Sequence, residues 1–343
     1  MYYYKVSKMN KIYIIAEAGI NHNGSLTKAF KLIDIAKKSG ADAVKFQLFD
    51  KNEQISKNAP SAPYQKKKTK KKNMLKMASS YDFSWNDHIK LKKKCDKIKI
   101  DYVASCFDPN SVDFYMDEIK GKIMKIASSE IDNLRLLSYV NKRCNKVILS
   151  TGMSNINEIR KAVQTLKKVK NLTLLQCTSV YPAPINELNI NAVTTLRKFF
   201  KLPIGFSDHS LGNVASMVSI GAGCRLIEKH FTLNKNLKGP DHSMSLGPKE
   251  LKLYIKNIRE CEKILGNEKK IPTKNELKLI KYSRRGLFAS RDIRKNEVIK
   301  KFHINYKRPS FEMSLRDEKN LIGKKSMYFI KKNDVLKKIF FKA

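Results

Sequence analysis

Acidic residues are scarce in this chain. Its 343 residues hold 31 Asp and Glu against 70 Lys and Arg, a formal net charge of +39 at pH 7. An excess of that size points first to an anionic partner, a nucleic acid or an acidic membrane surface. The lysines, however, run through most of the chain and form no single basic arm. Lys, Asn and Ile are used heavily everywhere, as a bias toward AT-rich codons would produce. A nucleic-acid partner is therefore not expected, although a basic field would still draw in phosphate-bearing small substrates.

Cysteine is sparse and carries no pattern. Cys95, Cys106, Cys144, Cys177, Cys224 and Cys261 are scattered without a C-x-x-C. That excludes a disulfide framework and a Cys-rich zinc site. Free cysteines inside apolar segments behave as small hydrophobes, and a reducing, cytoplasmic setting is the expectation. No run of about 18 apolar residues exists, so no membrane span is expected. Residues 1–11 are polar and basic, unlike a secretory signal. What is present is a hydrophobic share of 42%, adequate for one large core and a smaller one.

Short apolar runs alternate with amphipathic stretches from residue 12 to residue 265. Runs at 12–16, 43–46, 102–104, 123–127, 147–149, 172–175, 202–206 and 224–227 read as strands. Residues 25–38, 84–98, 110–118, 134–141, 156–169, 192–200, 213–222 and 248–265 read as helices. The first helix begins at Ser25, a good N-cap, with Ala29, Leu32, Ile33 and Ala36 on one face. Eight strands alternating with eight helices predict an α/β fold, a (β/α)8 TIM barrel over residues 1–266. One interruption stands out. Residues 48–82 contain Tyr64-Gln65 and the lysine-rich run 66–72. Such a stretch inside a compact domain is functional or disordered. It reads either as a solvated loop or as a lid facing a phosphate.

Polar residues gather at the strand ends, where parallel barrels carry their chemistry. Glu17 follows the first strand. Lys45 and Gln47 belong to the second, Ser105 to the third, and Lys125, Ser128 and Glu130 to the fourth. Ser150 and Ser179 end the fifth and sixth. Ser207-Asp208-His209 follows the seventh and Glu228-Lys229-His230 the eighth. Each alone has a plain structural role; together on one rim they predict one site. His209 and His230 read as a metal pair or as two structural histidines. Lys45, Lys125 and Lys229, with the serines and Thr151-Gly152 opening a helix, predict an anion cradle. A single Schiff-base lysine is the alternative. Glu17 and Glu130 are the acid–base candidates. Asp208 and Glu228 stay undecided, as groups that could orient the histidines. A phosphate-carboxylate substrate, a divalent ion and two carboxylates suggest carbon–carbon bond formation with a phosphorylated enol.

After Gly266 the pattern changes. Residues 267–283 are polar, include Pro272, and read as a linker. Short alternating runs at 286–289, 298–299, 303–307 and 325–330 predict a small β-rich domain over 284–343, marginal in size on its own.

Ordered motifs then carry a resemblance. IIAEAGINHNGS (14–25), VKFQ (44–47), FDPNSVDF (107–114), KIASSEIDN (125–133), ILSTGMS (148–154), LLQCTSVYPAP (174–184), GFSDHSLG (205–212), IEKHFT (227–232) and GPDHSMSL (239–246) resemble the N-acetylneuraminate (sialic acid) synthase family. That family includes legionaminate and pseudaminate synthases. SRRGLFASRDIRKNEVI (283–299) and INYKRP (304–309) resemble its antifreeze-like (SAF) domain. The resemblance implies a TIM barrel followed by a SAF domain. It implies a metal-dependent transferase that condenses phosphoenolpyruvate with an N-acetylated hexosamine, giving a nonulosonic acid and phosphate. The hexosamine would be N-acetylmannosamine or a di-N-acetyl derivative.

The resemblance also implies residue roles. Phosphoenolpyruvate would lie against Lys45, Ser105, Lys125, Ser128, Ser150, Ser179 and Ser207, with Lys229 as a further phosphate contact. Manganese or magnesium would bind His209 and His230, with Glu17 and Glu130 around its water. Gln47, Tyr181 and Asp241 would contact the sugar. A domain-swapped homodimer is implied, with Arg308 reaching the sugar's N-acetyl group from the other subunit. The chain departs from the family pattern at Ser105-Cys106, often Thr-Pro, and at Ser179, often Asn; these bear on sugar choice more than on reaction type. A different phosphoenolpyruvate aldol synthase, making another keto-sugar acid, is one alternative. A polyanion-binding protein on a decayed scaffold is the other, and the intact Lys, Glu and His set counts against it.

Overall fold

Eight parallel strands close into one barrel in chain order, with β1 paired to both β2 and β8. They are β1 (Tyr13–Gly19), β2 (Ala43–Leu48), β3 (Asp101–Cys106), β4 (Met124–Ile126), β5 (Lys146–Ser150), β6 (Asn171–Cys177), β7 (Ile204–Asp208) and β8 (Leu226–His230). The connecting helices are α1 (Leu26–Ser39), α2 (Trp85–Ile98), α3 (Pro109–Asp117), α4 (Leu134–Arg143), α5 (Ile156–Thr165), α6 (Ala192–Phe200), α7 (Val214–Ala222) and α8 (Pro248–Leu265). This is the TIM barrel that the alternation of runs predicts. The computed structural model describes residues 11–61, 66, 69–70 and 73–341. Tyr64-Gln65 and most of the lysine run, read as a solvated loop or a lid, lie outside the described residues. Among the described residues no helix is long and apolar enough to cross a membrane.

Local chemistry explains the elements. Ser25 Oγ accepts from the Lys28 amide at the start of α1, and Gly40, at φ 92°, ends it in a left-handed turn that a glycine adopts without a side-chain clash. Ala29, Leu32, Ile33 and Ala36 are buried, the stripe that their spacing predicts. The strands run further into the polar clusters than apolarity alone suggests. Ser207 pairs with Glu228 and Asp208 with Lys229 across β7 and β8, because neighbouring strands on both sides supply the backbone partners.

Strand alternation then sorts the side chains. Ile15, Ala43, Val103, Ile123, Ile148, Leu175 and Leu226 form one apolar cluster, a layer inside the barrel. The next inward positions along the strands are Glu17, Lys45, Ser105, Lys125, Ser150, Cys177 and Glu228, all lining one cavity. The intervening residues face outward into the larger core between strands and helices, which holds Ala16, Val44, Phe46, Ala104, Leu174 and Phe206.

Residues 1–266 and 267–343 are two compact units. In the second, the stretch expected as a linker contains a helix, α9 (Lys274–Ser283). Thr273 Oγ1 accepts from the Glu276 amide while Glu276 accepts from the Thr273 amide. This T-x-x-E capping box was present in the sequence and outweighs the polar composition. Two antiparallel strands follow, β9 (Gly286–Ala289) and β10 (Ile304–Lys307). Residues 298 and 325, from the short runs expected at 298–299 and 325–330, make a single bridge to each other. Leu287, Ile293, Ile299, Ile330 and Leu336 give the unit its own small core.

Candidate active site

A cavity of about 550 Å³ opens among the carboxyl ends of the barrel strands. Glu17, Lys45, Gln47, Ser105, Lys125, Ser128, Ser150, Ser179, Tyr181, Ser207, His209, His230 and Asp241 all line it. They come from every strand or from the loop just beyond it. Parallel register explains their meeting: Glu17 lies opposite Lys45 on one side and His230 on the other. Ser105 lies opposite both Gln47 and Lys125.

The floor is a buried ion cluster. Lys45 Nζ stands 3.3 Å from Glu17 Oε2 and 3.2 Å from Glu228 Oε2, and donates to Ser105 Oγ at 3.1 Å. Lys125 Nζ is 3.4 Å from Glu228 Oε1, which also accepts from Ser207 Oγ at 2.8 Å. Glu228 is one of the two residues that the sequence leaves undecided. It orients neither histidine; it bridges the two lysines. Burial alone would raise its pKa, but Lys125 and Lys45 outweigh burial and hold it well below the usual carboxylate range. Glu17 is raised to about 7, because burial outweighs the attraction of Lys45 and the charge of Glu228 adds to the rise. Two carboxylates of one site are thus driven apart in acidity, the pattern of an acid–base pair. Burial would lower Lys45, yet Glu17 and Glu228 hold it above its ordinary value. It stays an ammonium, suited to an anion and unsuited to a Schiff base.

The two histidines stand at the mouth of this floor with ring centroids 5.6 Å apart, and Tyr181 stacks near His209 at 4.2 Å. The Thr178 carbonyl lies 2.8 Å from His209 Nδ1. A carbonyl can only accept, so Nδ1 carries the proton; Nε2, 3.4 Å from Ser207 Oγ, is the ring nitrogen that could serve as a ligand atom. Burial, with His209 and Lys45 nearby, keeps His230 well below its usual range and therefore neutral. Its Nδ1 is buried without a hydrogen-bond partner, an orphan that calls for a ligand. The pair fits a divalent ion. Among the described residues no group of three His, Cys, Asp or Glu could hold one, so the remaining positions would fall to water and substrate.

The serines gather at a second point of the cavity wall. Gly152 N donates to Ser128 Oγ at 3.0 Å. A side chain at residue 152 would stand 2.2 Å from Ser179 Oγ and 2.9 Å from Ser128 Oγ. Glycine there lets both hydroxyls reach the cavity. Ser150 Oγ is buried and unpaired.

Residues 32–270 match the sequence profile of the NeuB family. The chain belongs to that family. It is 42% identical over 334 residues to the N,N'-diacetyllegionaminic acid synthase of Campylobacter jejuni, a match covering 96% of this chain and 100% of the relative. The synthase of the same name from Legionella pneumophila is 38% identical, covering 91% of this chain and 89% of that one. Human N-acetylneuraminate-9-phosphate synthase is 32% identical, covering 79% and 75%. The crystal structure of N-acetylneuraminic acid synthetase from Leptospira borgpetersenii, in complex with citrate, aligns with a TM-score of 0.71 at 34% identity, covering 79% of this chain and 91% of that one.

In this NeuB-family chain two expected site residues do not line the cavity. Lys229 does not line the cavity. It lies on the outward side of β8, 3.0 Å from Asp208 Oδ2, donating to the Ser210 carbonyl at 2.5 Å and lying over the Tyr254 ring of α8. Neighbours on a strand face opposite ways, so Glu228 and His230 inside force Lys229 outside. Asp208 is outward for the same reason; it accepts from Ser210 and Ser216 and orients no histidine. Glu130 is also absent from the lining. Its carboxylate accepts from Ser129 Oγ and Asn133 Nδ2 beside the start of α4, a local cap. Arg308 belongs to the second unit, in the turn after β10. Cys177, read as a small hydrophobe, lines the cavity with Sγ 3.7 Å from His209 Nδ1. Strand period two, applied to Gln176-Cys177, would have found it.

Proposed function

We propose that this chain condenses phosphoenolpyruvate with an open-chain N-acetylated amino sugar, giving a nonulosonic acid and inorganic phosphate. The observation that carries the reading is the buried Lys45–Glu228–Lys125 bridge below two histidines, in a chain that matches a diacetyllegionaminic acid synthase from end to end. A small polyanion needs fixed cations and hydroxyl donors in one dry pocket. Lys45, Lys125, Ser105, Ser128, Ser150, Ser179 and Ser207 supply them, with Glu228 holding the lysines in place before substrate arrives.

A divalent ion, manganese or magnesium, would be held by His209 and His230. When bound it supplies Lewis-acid polarisation of the aldehyde oxygen. The enzyme's own residues do the rest. The cationic floor and the serines fix the phosphate and carboxylate, leaving C3 of the enol facing the aldehyde carbon. C3 forms the new bond, the aldehyde oxygen becomes an alkoxide, and positive charge develops at C2. Glu17 takes a proton from the water that adds to C2 and passes it to the alkoxide, which becomes a hydroxyl; the carbon–oxygen bond to phosphate then breaks, the proton of the C2 hydroxyl leaving with the phosphate, to give the C2 ketone. Gln47, Tyr181 and Asp241 hold the sugar. The transferase class, the SAF character of residues 284–343, the domain-swapped homodimer and the reach of Arg308 to the partner subunit's sugar belong to the same proposal. The transferase class rests on the resemblance of the barrel motifs, and the others on that of residues 283–309.

Purified protein with Mn²⁺ and phosphoenolpyruvate is expected to release phosphate only when an N-acetylated hexosamine is added. Release without sugar, or none with any member of a hexosamine panel, would sink the reading.

A further inference from the structure

Asp241 sits on the loop of residues 231–247 between β8 and α8, and that loop is held from across the seam by residues 20–25, between β1 and α1. Asp241 lines the cavity and is 8% exposed, yet its carboxylate accepts no hydrogen bond from any other described residue. A carboxylate without such partners goes where its backbone puts it, so the backbone has to be fixed. Two sets of bonds fix it. In the first, Asn21 Nδ2 donates to the Phe231 carbonyl at 2.8 Å and to Ser245 Oγ at 2.9 Å, and Ser245 Oγ donates to the Asp241 carbonyl at 2.6 Å. Asn21 commits both amide hydrogens to this loop while its own Oδ1 stays buried without a partner, a cost that its two donor bonds must offset.

In the second set the proton positions follow from the acceptors. Asn23 Nδ2 donates to the Lys238 carbonyl at 2.9 Å, which leaves Asn23 Oδ1 as an acceptor 3.0 Å from His242 Nε2. Nε2 therefore carries the proton, and Nδ1 accepts from Thr232 Oγ1 at 2.6 Å. His242 is fully buried and adjoins Asp241 in the chain. The packing around it is tight: a side chain at residue 239 would stand 2.6 Å from His242 Cδ2. None of Asn21, Asn23 and His242 lines the cavity. We propose that these three are positioning residues, which latch the loop after β8 onto the loop after β1 and so hold the Asp241 carboxylate against the sugar. The inference rests on the sugar contact of Asp241 proposed above. A hydrogen bond weakens steeply when it is stretched or misaligned, so releasing the latch loses the contact without touching the anion floor.

The test measures initial phosphate release by the full chain with Mn²⁺, varying phosphoenolpyruvate and the best sugar of the hexosamine panel in turn. Asn23→Gly removes both bonds of that side chain without straining the backbone, because φ there is 50°, a conformation glycine adopts freely. Asn21→Ala removes the other set. His242→Leu removes both bonds of the ring, and His242→Gln returns an amide donor toward Asn23 Oδ1. Asn23→Gly, Asn21→Ala and His242→Leu are each expected to raise KM for the sugar roughly tenfold or more, the order of one hydrogen bond to a charged group. KM for phosphoenolpyruvate should stay within about twofold of the parent, and His242→Gln should bring the sugar KM back to within about threefold. Should the buried variants not fold, Asn23→Gly, at a half-buried position, decides alone. An unchanged sugar KM, a parallel rise in both KM values, or no rescue by glutamine in a folded protein overturns the inference while leaving the reaction standing. No release from the parent with any sugar is the failure of the reaction itself, and the inference falls with it.

Discussion

Glu228 and Lys229 are neighbours on β8 and stand on opposite sides of the barrel wall. Glu228 faces inward and bridges Lys45 to Lys125; Lys229 faces outward and is locked onto Asp208 under α8. One is part of the proposed chemistry and the other part of the scaffold, although they share a motif.

That separation predicts different consequences of mutation. Lys229→Ala leaves the Asp208 carboxylate buried without its cation, a loss of about 3–5 kcal/mol. Thermal denaturation should show a large fall in Tm, with KM for phosphoenolpyruvate unchanged in the folded fraction at low temperature. A several-fold rise in that KM with normal stability would return Lys229 to the anion site.

Glu17 sets a pH limb. With its pKa held up to about 7 by burial, it is half protonated at neutrality and must lose its proton to act as a base. Turnover should therefore rise with pH and level off above about 7. Glu17→Gln should lower kcat by roughly 10²–10⁴ and remove the limb. An unaltered limb in the variant would assign it to another group.

Gly152→Ala isolates the serine contact. The new methyl meets the hydroxyl ends of Ser179 and Ser128 at closest range and the Cys177 carbonyl at 3.3 Å; the hydroxyls can turn from the cavity and the carbonyl need give only slightly, so the fold survives. Loss of a hydrogen bond to a charged group is worth about 1.5–3 kcal/mol. The expected result is a tenfold or greater rise in KM for phosphoenolpyruvate with nearly unchanged Tm. A normal KM would show that the serines do not hold the anion.

His230→Ala should abolish the dependence of turnover on added Mn²⁺ and weaken Mn²⁺ binding, read by titration calorimetry without substrate. Full activity in the variant without added metal would refute the histidine pair as ligands.

Buried neutral histidines govern acid stability. His22 stacks on Phe83 at 4.0 Å and is lowered to about 3; His88, bonded to Tyr102 at 2.6 Å, is lowered to about 4, both by burial. Unfolded histidine binds its proton near pH 6.5, and the folded chain only far below that, so stability rises with pH across this window. On the order of 3 kcal/mol per histidine should be lost as pH falls from 6.5 to about 4. Glu17 acts in the opposite direction between 4.5 and about 7, so His88→Gln is the control. Urea midpoints at pH 7 and 5 should differ less in that variant than in the parent; an equal difference would acquit His88.

Much of this was legible before any coordinates. Alternating runs of about five apolar residues and amphipathic helices dictate a parallel barrel, because each element has one way to bury its face against the next. Nearly all of the rim residues follow from that topology, since strand ends in a closed barrel converge. Even the outward turn of Lys229 was legible, as the odd position between Glu228 and His230, and so was the capping box at Thr273. Other features depend on distances in space. That Glu228 bridges Lys45 and Lys125 requires three strands far apart in the chain to close on one another. That Glu130 turns to Asn133 and not to the cavity was settled by a loop conformation. That Ile55 and Met77 leave the core to line the cavity was settled by packing. Local pattern selects the face a residue presents; only the closed barrel decides which charges meet, because electrostatic and packing energies depend on distance and not on position along the chain.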